Sequence, residues 1–420
     1  MLAALVNAWR VPDLRKKILY SAFLLFVYRL GSFIPAPGVD TAKVAEVFQS
    51  IMGETGGGLI GLVDMFSGGS LQRLSVFAVN VGSYITASIV MELLTVVIPS
   101  LEELSKEGPE GRKKISQYTR YAAIVLALLQ AYGYSAMFKD AIRPGAVWTL
   151  LVIVSMAAGA AFVIWLGEKI SEKGIGNGIS LIIFAGIVTQ LPGNVRNVVS
   201  LAKAGGTGPL LAVVYVVMSL ALVIGIVAMS EGQRRVPVQY PKRVVGRRVY
   251  GGQSTHIPIK VNQAGVIPVI FASSVLAFPG TLAQFIPGIA PGVRAFMNNM
   301  WAYNIVYVGL IILFAYFYTG ITFNPVEVAD NMRKYGGFIP GFRPGRPTAE
   351  YLDRVLTRLT FVGAIFLAII ALLPNITGRL TSNTVTFGGT GLIIVVGVAL
   401  DTMKQIEAQL IMRQYEGFLK

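Results

Sequence analysis

Long apolar runs alternate with short polar stretches along all 420 residues. A helix that crosses about 30 Å of hydrocarbon, rising about 1.5 Å per residue, needs about 20 mostly apolar residues. Runs that meet or approach this requirement fall at 18–34, 74–98, 118–138, 146–166, 178–191, 209–230, 262–280, 301–320, 355–374 and 386–403. The pattern predicts an all-α polytopic membrane protein with ten transmembrane helices. The fifth run is short, and Pro268 is expected to interrupt the seventh. Residues 18–34 follow a basic stretch, as the apolar core of a signal peptide would. Arg29 lies within the run, however, and no small-x-small cleavage pattern follows in IPAPGVD, so it reads as a retained first helix.

The polar stretches carry a direction. With the N-terminus inside, stretches 1–17, 99–117, 167–177, 231–261, 321–354 and 404–420 hold 25 Lys and Arg, against eight in the opposite set. That imbalance predicts both termini in the cytoplasm. It also gives the formal net charge of +15 a use in orientation and in attraction to anionic lipid. Nucleic-acid binding is the weaker reading of the same excess, although part of the charge is free to serve a cytoplasmic partner. Ten spans divide into five plus five, an N-terminal half over 1–205 and a C-terminal half over 206–420. An odd number per half predicts opposite orientations, an inverted repeat.

Composition narrows the chemistry. Apolar residues make up 54% of the chain and charged residues 14%, too few charges to coat a soluble domain of this size. There are no cysteines and one histidine, His256, so thiolate chemistry, disulfides and a histidine-rich metal site are excluded. GIGNG at 174–178 lacks the preceding strand and following Lys of a phosphate loop. It reads as a flexible approach to the fifth span. No catalytic residue, metal or cofactor is predicted.

Polar residues within spans are costly and often functional. Here Arg29, Asn80, Glu92 and Gln130 stand out, with Asn262 at a span end. Glu92 is expected to snorkel or pair, a proton relay being the weaker reading. Small and hydroxylated residues recur in YITASIV (84–90) and IFASSV (270–275), which suits either close helix packing or a contact between helices that can part without stranding charge. Residues 53–70 contain an apolar run, 59–66, that is too short to span and is bracketed by glycines. It is open to two readings, a surface loop or a re-entrant element. The basic stretches 231–261 and 321–354 are longer than simple helix connections, and loops of such length usually bind something or are disordered.

Eight stretches then carry a resemblance: YRLGSFIPAPGVD (28–40), MFSGGSLQRLSVFAV (65–79), YITASI (84–89), SKEGPEGRKKISQYTR (105–120), EKGIGNGISLIIFAGIV (172–188), GRRVYGGQSTHIPIKVNQAGVIPVIFASS (246–274), GGFIPGFRPG (336–345) and FGGTGLIIVV (387–396). Together they resemble the SecY family, the central subunit of the bacterial protein-translocation channel, from the first span to the last. The resemblance implies an hourglass pore between two inverted five-helix halves in the cytoplasmic membrane. Unfolded secretory polypeptides would pass through it, and apolar segments would leave sideways into lipid. It implies a constriction ring of Val81, Ile85, Ile183, Ile187, Ile270 and Ile394. A plug is implied at Leu59, Ile60, Gly61, Leu62, Val63, Asp64, Met65, Phe66 and Ser67. A lateral gate is implied between the second and third spans and the seventh and eighth, with Thr86, Ser88, Glu92, Gln130, Ser273 and Ser274 along it. Arg247, Arg248, Arg343 and Arg346 would receive a SecA-like motor or a ribosome. Small SecE-like and SecG-like membrane subunits, signal peptides, unfolded preproteins and membrane lipid complete the implied partners.

The sequence departs from the family pattern where NVGSYI (80–85) stands for the common GIMPYI, placing Asn80 for Gly and Ser83 for Pro, and where Glu92 stands for a common Gln. Two other classes are also considered. A small-solute secondary transporter would need a polar, ion-coordinating midplane, where this chain has Val, Ile, Ser and Thr. A membrane scaffold would use the two basic loops but open no path.

Overall fold

The computed structural model describes residues 9, 11–55, 58–203, 208–240, 243–245, 248–250, 254–285, 287–380 and 389–418. In chain order the first helices are α1 (Pro12–Gly31), α2 (Thr41–Thr55), α3 (Gly58–Ser67), α4 (Gly82–Val97), α5 (Pro99–Lys106), α6 (Pro109–Met137), α7 (Ala146–Lys173), α8 (Gly178–Val188), α9 (Leu191–Lys203) and α10 (Gly208–Glu231). Four strands follow: β1 (Gln233–Gln239), β2 (Arg243–Val245), β3 (Arg248–Tyr250) and β4 (Ser254–Lys260). The chain continues with α11 (Ile267–Phe285), α12 (Ala290–Asn298), α13 (Met300–Thr322), α14 (Pro325–Lys334), α15 (Arg346–Leu380) and α16 (Gly389–Phe418).

Helix starts follow local chemistry. Pro12, Pro99, Pro109 and Pro325 occupy first turns, where a missing N–H is not needed. Asn177 and Asn324 cap α8 and α14, accepting from Ser180 N–H at 3.2 Å and Val326 N–H at 3.1 Å. GIGNG is therefore the turn between α7 and α8, with Gly176 at φ 84°.

Six segments of the described residues are long and apolar enough to cross a membrane: Ala146–Lys173, Gly178–Lys203, Gly208–Glu231, Met300–Lys334, Arg346–Leu373 and Gly389–Met412. A seventh is added if α4 and α5, bent by 100° at their junction, count as one span. The molecule is thus an all-α polytopic membrane fold with a small β-ribbon.

Two sequence expectations need correction, and one open reading is narrowed. The second run, 74–98, is not one continuous helix. Residues 74–81 are irregular, because Ala36 N–H bonds Leu74 O at 3.0 Å and Val76 N–H bonds Ile34 O at 3.0 Å. That stitching to 34–36 holds Leu74 and Asn80 at φ 43° and 50°, so the helix begins only at Gly82. In the seventh run Pro268 falls in the first turn of α11, where it interrupts nothing, and Pro279 lies inside the helix instead. Of the two readings of 53–70, the surface loop does not hold for its end, where Asp64 and residues 67–70 are buried.

Packing follows the same order in both parts of the chain. In the first part α4 packs on α6, α6 on α7, α7 on α8 and α8 on α1; in the second α11 packs on α13, α13 on α15, α15 on α16 and α16 on α10. The two parts meet where α4 and α6 touch α11, where α8 touches α16 and where α9 packs on α10, the helix pair that joins them.

The two long basic stretches fold together. β1 pairs antiparallel with β4 in register Val236–Ile257. Gln239 and Phe338 exchange backbone hydrogen bonds at 2.9 and 3.0 Å. Val236, Val238 and Ile259 from the ribbon share an apolar core with Met332, Ile339, Leu352 and Leu356 from α14, the turn after it and α15.

Candidate functional site: an aliphatic junction under a short helix

The six ring candidates come from four separate elements. Val81 precedes α4 and Ile85 follows one turn later; Ile183 and Ile187 lie one turn apart on α8; Ile270 is on α11 and Ile394 on α16. All six belong to one continuous apolar cluster. Val81, Ile183, Ile187 and Ile394 are 5% exposed or less, and Ile85 and Ile270 pack against them half-buried. Met65 and Phe66 of α3 pack on the same cluster. Nothing in it is charged, so an ion meeting this junction would lose its hydration and gain no ligand.

The candidate plug residues 59–67 lie on α3, which packs on α8. The approach is close enough to exclude side chains. Gly68 has φ 65°, and a Cβ built on it would stand 2.9 Å from the Gly186 Cα. A Cβ on Gly186 would stand 2.9 Å from Phe66 O and 3.2 Å from Gly68 N. Two glycines thus let the end of α3 rest on the α8 backbone.

Carbonyls at that end accept from side chains elsewhere in the chain, in addition to the local bonds of Gly69 N–H to Asp64 O and of Ser70 Oγ to Ser67 O. Gln190 Nε2 donates to Asp64 O at 3.2 Å, and Asn80 Nδ2 donates to Phe66 O at 2.8 Å. Tyr28 OH donates to Ser67 O at 3.3 Å, and Arg29 Nη1 donates to Gly68 O at 2.9 Å. Asn80 Nδ2 also donates to Tyr28 Oη at 3.1 Å. Asn tolerates the left-handed backbone at position 80 better than most side chains do, and its amide there bonds Phe66 and Tyr28 rather than its own neighbours. The Asp64 carboxylate accepts from Gln72 N–H at 3.2 Å and Gln72 Nε2 at 2.8 Å. Burial pushes this carboxyl up to about 6, with the Gln72 bonds opposing the rise.

The gate candidates line helices that do touch. Ile89 of α4 is buried against Val269, Phe271, Ala272 and Leu276 of α11. Thr86 donates to Gly82 O at 3.1 Å and Ser273 to Ile270 O at 2.8 Å, each within its own helix. Those two hydroxyls therefore tie the seam to nothing across it. Ser88, Glu92, Gln130 and Ser274 are half-buried along the same helices. Of the docking candidates, Arg343 is exposed on the turn after α14; Arg346 is exposed and pairs with Glu350 at 3.2 Å. Arg248 begins β3, and Arg247 lies outside the described residues. Among the described residues no group of three or more His, Asp or Glu could hold a metal.

The SecY family model matches residues 75–403. The protein translocase subunits SecY of Mycobacterium bovis and Corynebacterium glutamicum are 47% and 46% identical, over the whole of this chain and of theirs. The chain belongs to the SecY family. Solved structures share the fold at lower identity. One, of a protein-conducting channel, superposes with a TM-score of 0.65 at 19% identity, covering 94% of this chain and 92% of its own. Another, Sec61 in a canine ribosome–channel complex from the endoplasmic reticulum, gives 0.62 at 18%, with the same coverage. As a member of the SecY family, the chain is a channel subunit of the Sec translocase, a multi-pass protein of the bacterial inner membrane, and not an enzyme.

Reading the sequence did not find Tyr28 and Gln190 as partners of α3. A Tyr near a span end looks like an interfacial anchor and a Gln there like a solvated end, and nothing local signals bonds to carbonyls 39 and 126 residues away. Arg29 and Asn80 carried the available signal, being polar within apolar runs.

Proposed function

We propose that this SecY-family channel passes unfolded polypeptide through the junction of Val81, Ile85, Ile183, Ile187, Ile270 and Ile394, and that α3 is the plug that closes it at rest. The observation that carries the reading is the meeting of six aliphatic side chains from α4, α8, α11 and α16 in one cluster, covered by Met65 and Phe66. An aliphatic constriction sheds water and blocks ions, yet offers no hydrogen-bonding group to grip a moving chain. Diverse sequences therefore slide through it.

We read the fold as ten spans in two inverted five-helix halves with both termini cytoplasmic. The repeated packing order, α4–α6–α7–α8–α1 and α11–α13–α15–α16–α10, supports this, and so does the charge imbalance. The lateral gate is the seam between α4 with α6 and α11 with α13. Opening it is a partition choice: Leu or Ile gains about 0.3–0.6 kcal/mol at a bilayer centre, whereas Asp, Lys or Arg costs about 2.5–3.5. Twenty such residues gain about 6–12 kcal/mol, so two or three charges, costing about 5–10, are needed to hold the segment in water.

The β-ribbon and the turn bearing Arg343 form the cytoplasmic docking lobe for a SecA-like motor or a ribosome. Arginine suits that place because its planar fork can bond carboxylate or phosphate through two donors. SecE-like and SecG-like subunits would stand against the lipid-facing helices. The test is protease protection of a secretory precursor added to vesicles holding this protein, its small partner, the motor and ATP. ATP-dependent protection that vanishes without this chain supports the reading. Its absence, with a motor active on a known channel, overturns it.

A further inference from the structure

The four bonds onto the end of α3 share a property that bears on how the channel opens. Their donors, Tyr28 and Arg29 of α1, Asn80 ahead of α4 and Gln190 after α8, all stand in the N-terminal half. The C-terminal half meets α3 through apolar contact, as where a Cβ on Gly391 would stand 3.0 Å from Met65 Sδ. Asn80 is held at further cost: its backbone is left-handed at φ 50°, and its Oδ1 is buried without a hydrogen-bond partner. Strain and an orphaned acceptor persist where the surroundings over-determine them, commonly at functional sites.

We propose that Tyr28, Arg29, Asn80 and Gln190 form a polar latch that fastens the plug to the N-terminal half alone. This rests on reading α3 as the plug. Parting the halves along the α4–α11 seam stretches no bond of the latch. Lateral opening and plug release are therefore two separate events, and a segment can reach the seam while the plug is still seated. The orphaned Oδ1 gains water when the plug leaves, so the latch is a fastening that releases under modest load.

The test uses the full-length chain, reconstituted with its small membrane partner in planar bilayers, and reads resting ion conductance. Asn80→Asp and Gln190→Glu keep shape but turn a donor into an acceptor facing a carbonyl. Each is expected to raise conductance about tenfold, the equivalent of 1.4 kcal/mol, and together by about the product. Arg29→Met is expected to leak, and Arg29→Lys, which keeps a donor for Gly68 O, to stay tight. The same exchange at exposed Gln405, Gln405→Glu, serves as the control and is expected to stay tight. A channel lacking 59–67 fixes the plug-free conductance. If it leaks while the Asn80, Gln190 and Arg29 variants stay as tight as the parent, the latch is refuted and the plug stands. If it does not leak, plug and latch fall together.

Discussion

The contact between Gly186 and the end of α3 allows a quantitative test of plug seating. In Gly186→Ala the new methyl would stand 2.9 Å from Phe66 O, 3.2 Å from Gly68 N and 3.5 Å from Gly68 Cα. All three are backbone atoms, so no rotamer change relieves the crowding. The alanine itself suits α8, being the best helix former, and the perturbation is confined to the seat. Overpacking a well-filled site costs about 1–3 kcal/mol, which shifts an equilibrium between seated and displaced plug by about fivefold to over a hundredfold. Shifting α3 by a few tenths of an ångström would also lengthen the Asn80 and Tyr28 bonds to the adjacent carbonyls. The assay is single-channel recording without motor or ribosome, scoring resting open probability. Gly193→Ala is the matched control, since a Cβ there meets nothing within 4 Å. A Gly186→Ala channel as quiet as Gly193→Ala would refute the claim that the plug rests on the α8 backbone.

Ile85→Asn with Ile187→Asn places amides in the aliphatic junction and is expected to raise resting ion leak several-fold; unchanged conductance in a folded double variant would make these residues ordinary packing. Arg343→Glu is expected to impair motor-driven transport while membrane insertion of the channel is unaffected, and near-normal transport would remove Arg343 from docking. Buried on α3, Asp64 has a value of about 6 against about 3.9 when exposed, so on the reading of α3 as the plug its seated form binds more protons between those values. Acid therefore favours closure: the contribution is full below about pH 4 and lost as pH rises through 6. Resting leak should fall from pH 7.5 to 4.5, and Asp64→Asn should flatten the dependence.

The apolar runs marked the six segments long and apolar enough to cross a membrane, because lipid imposes one requirement on each span and that requirement is local. They could not mark the irregular stretch 74–81. SVFAVNV is as apolar as a helix would be, and what unwinds it is backbone bonding to 34–36, some 40 residues earlier. Tucking of 59–66 into the molecule was open in the sequence because glycine brackets suit a loop and a close approach alike. The contact of Gly68 with Gly186 resolves it, and that contact is a property of two distant segments. The aliphatic junction became legible only through the family resemblance, since isoleucines within membrane helices are otherwise indistinguishable from lipid-facing ones. The basic stretches were read as two separate loops. Their common core was hidden because Val236, Val238 and Ile259 alternate with Arg, Pro and Lys, a period-2 pattern too short to outweigh the charge.

The shared core of the ribbon and the turn has a mechanical consequence. β1 leaves α10 directly, β4 leads into α11, α14 follows α13, and the turn after it runs into α15. A body gripping this lobe at any point thus holds the ends of four helices through one stiff knuckle. A push on it would load α10, α11, α14 and α15 together, against the contacts of α8 with α16 and of α11 with α4. On the docking proposed above, a motor's push would reach those four helix ends together rather than one at a time.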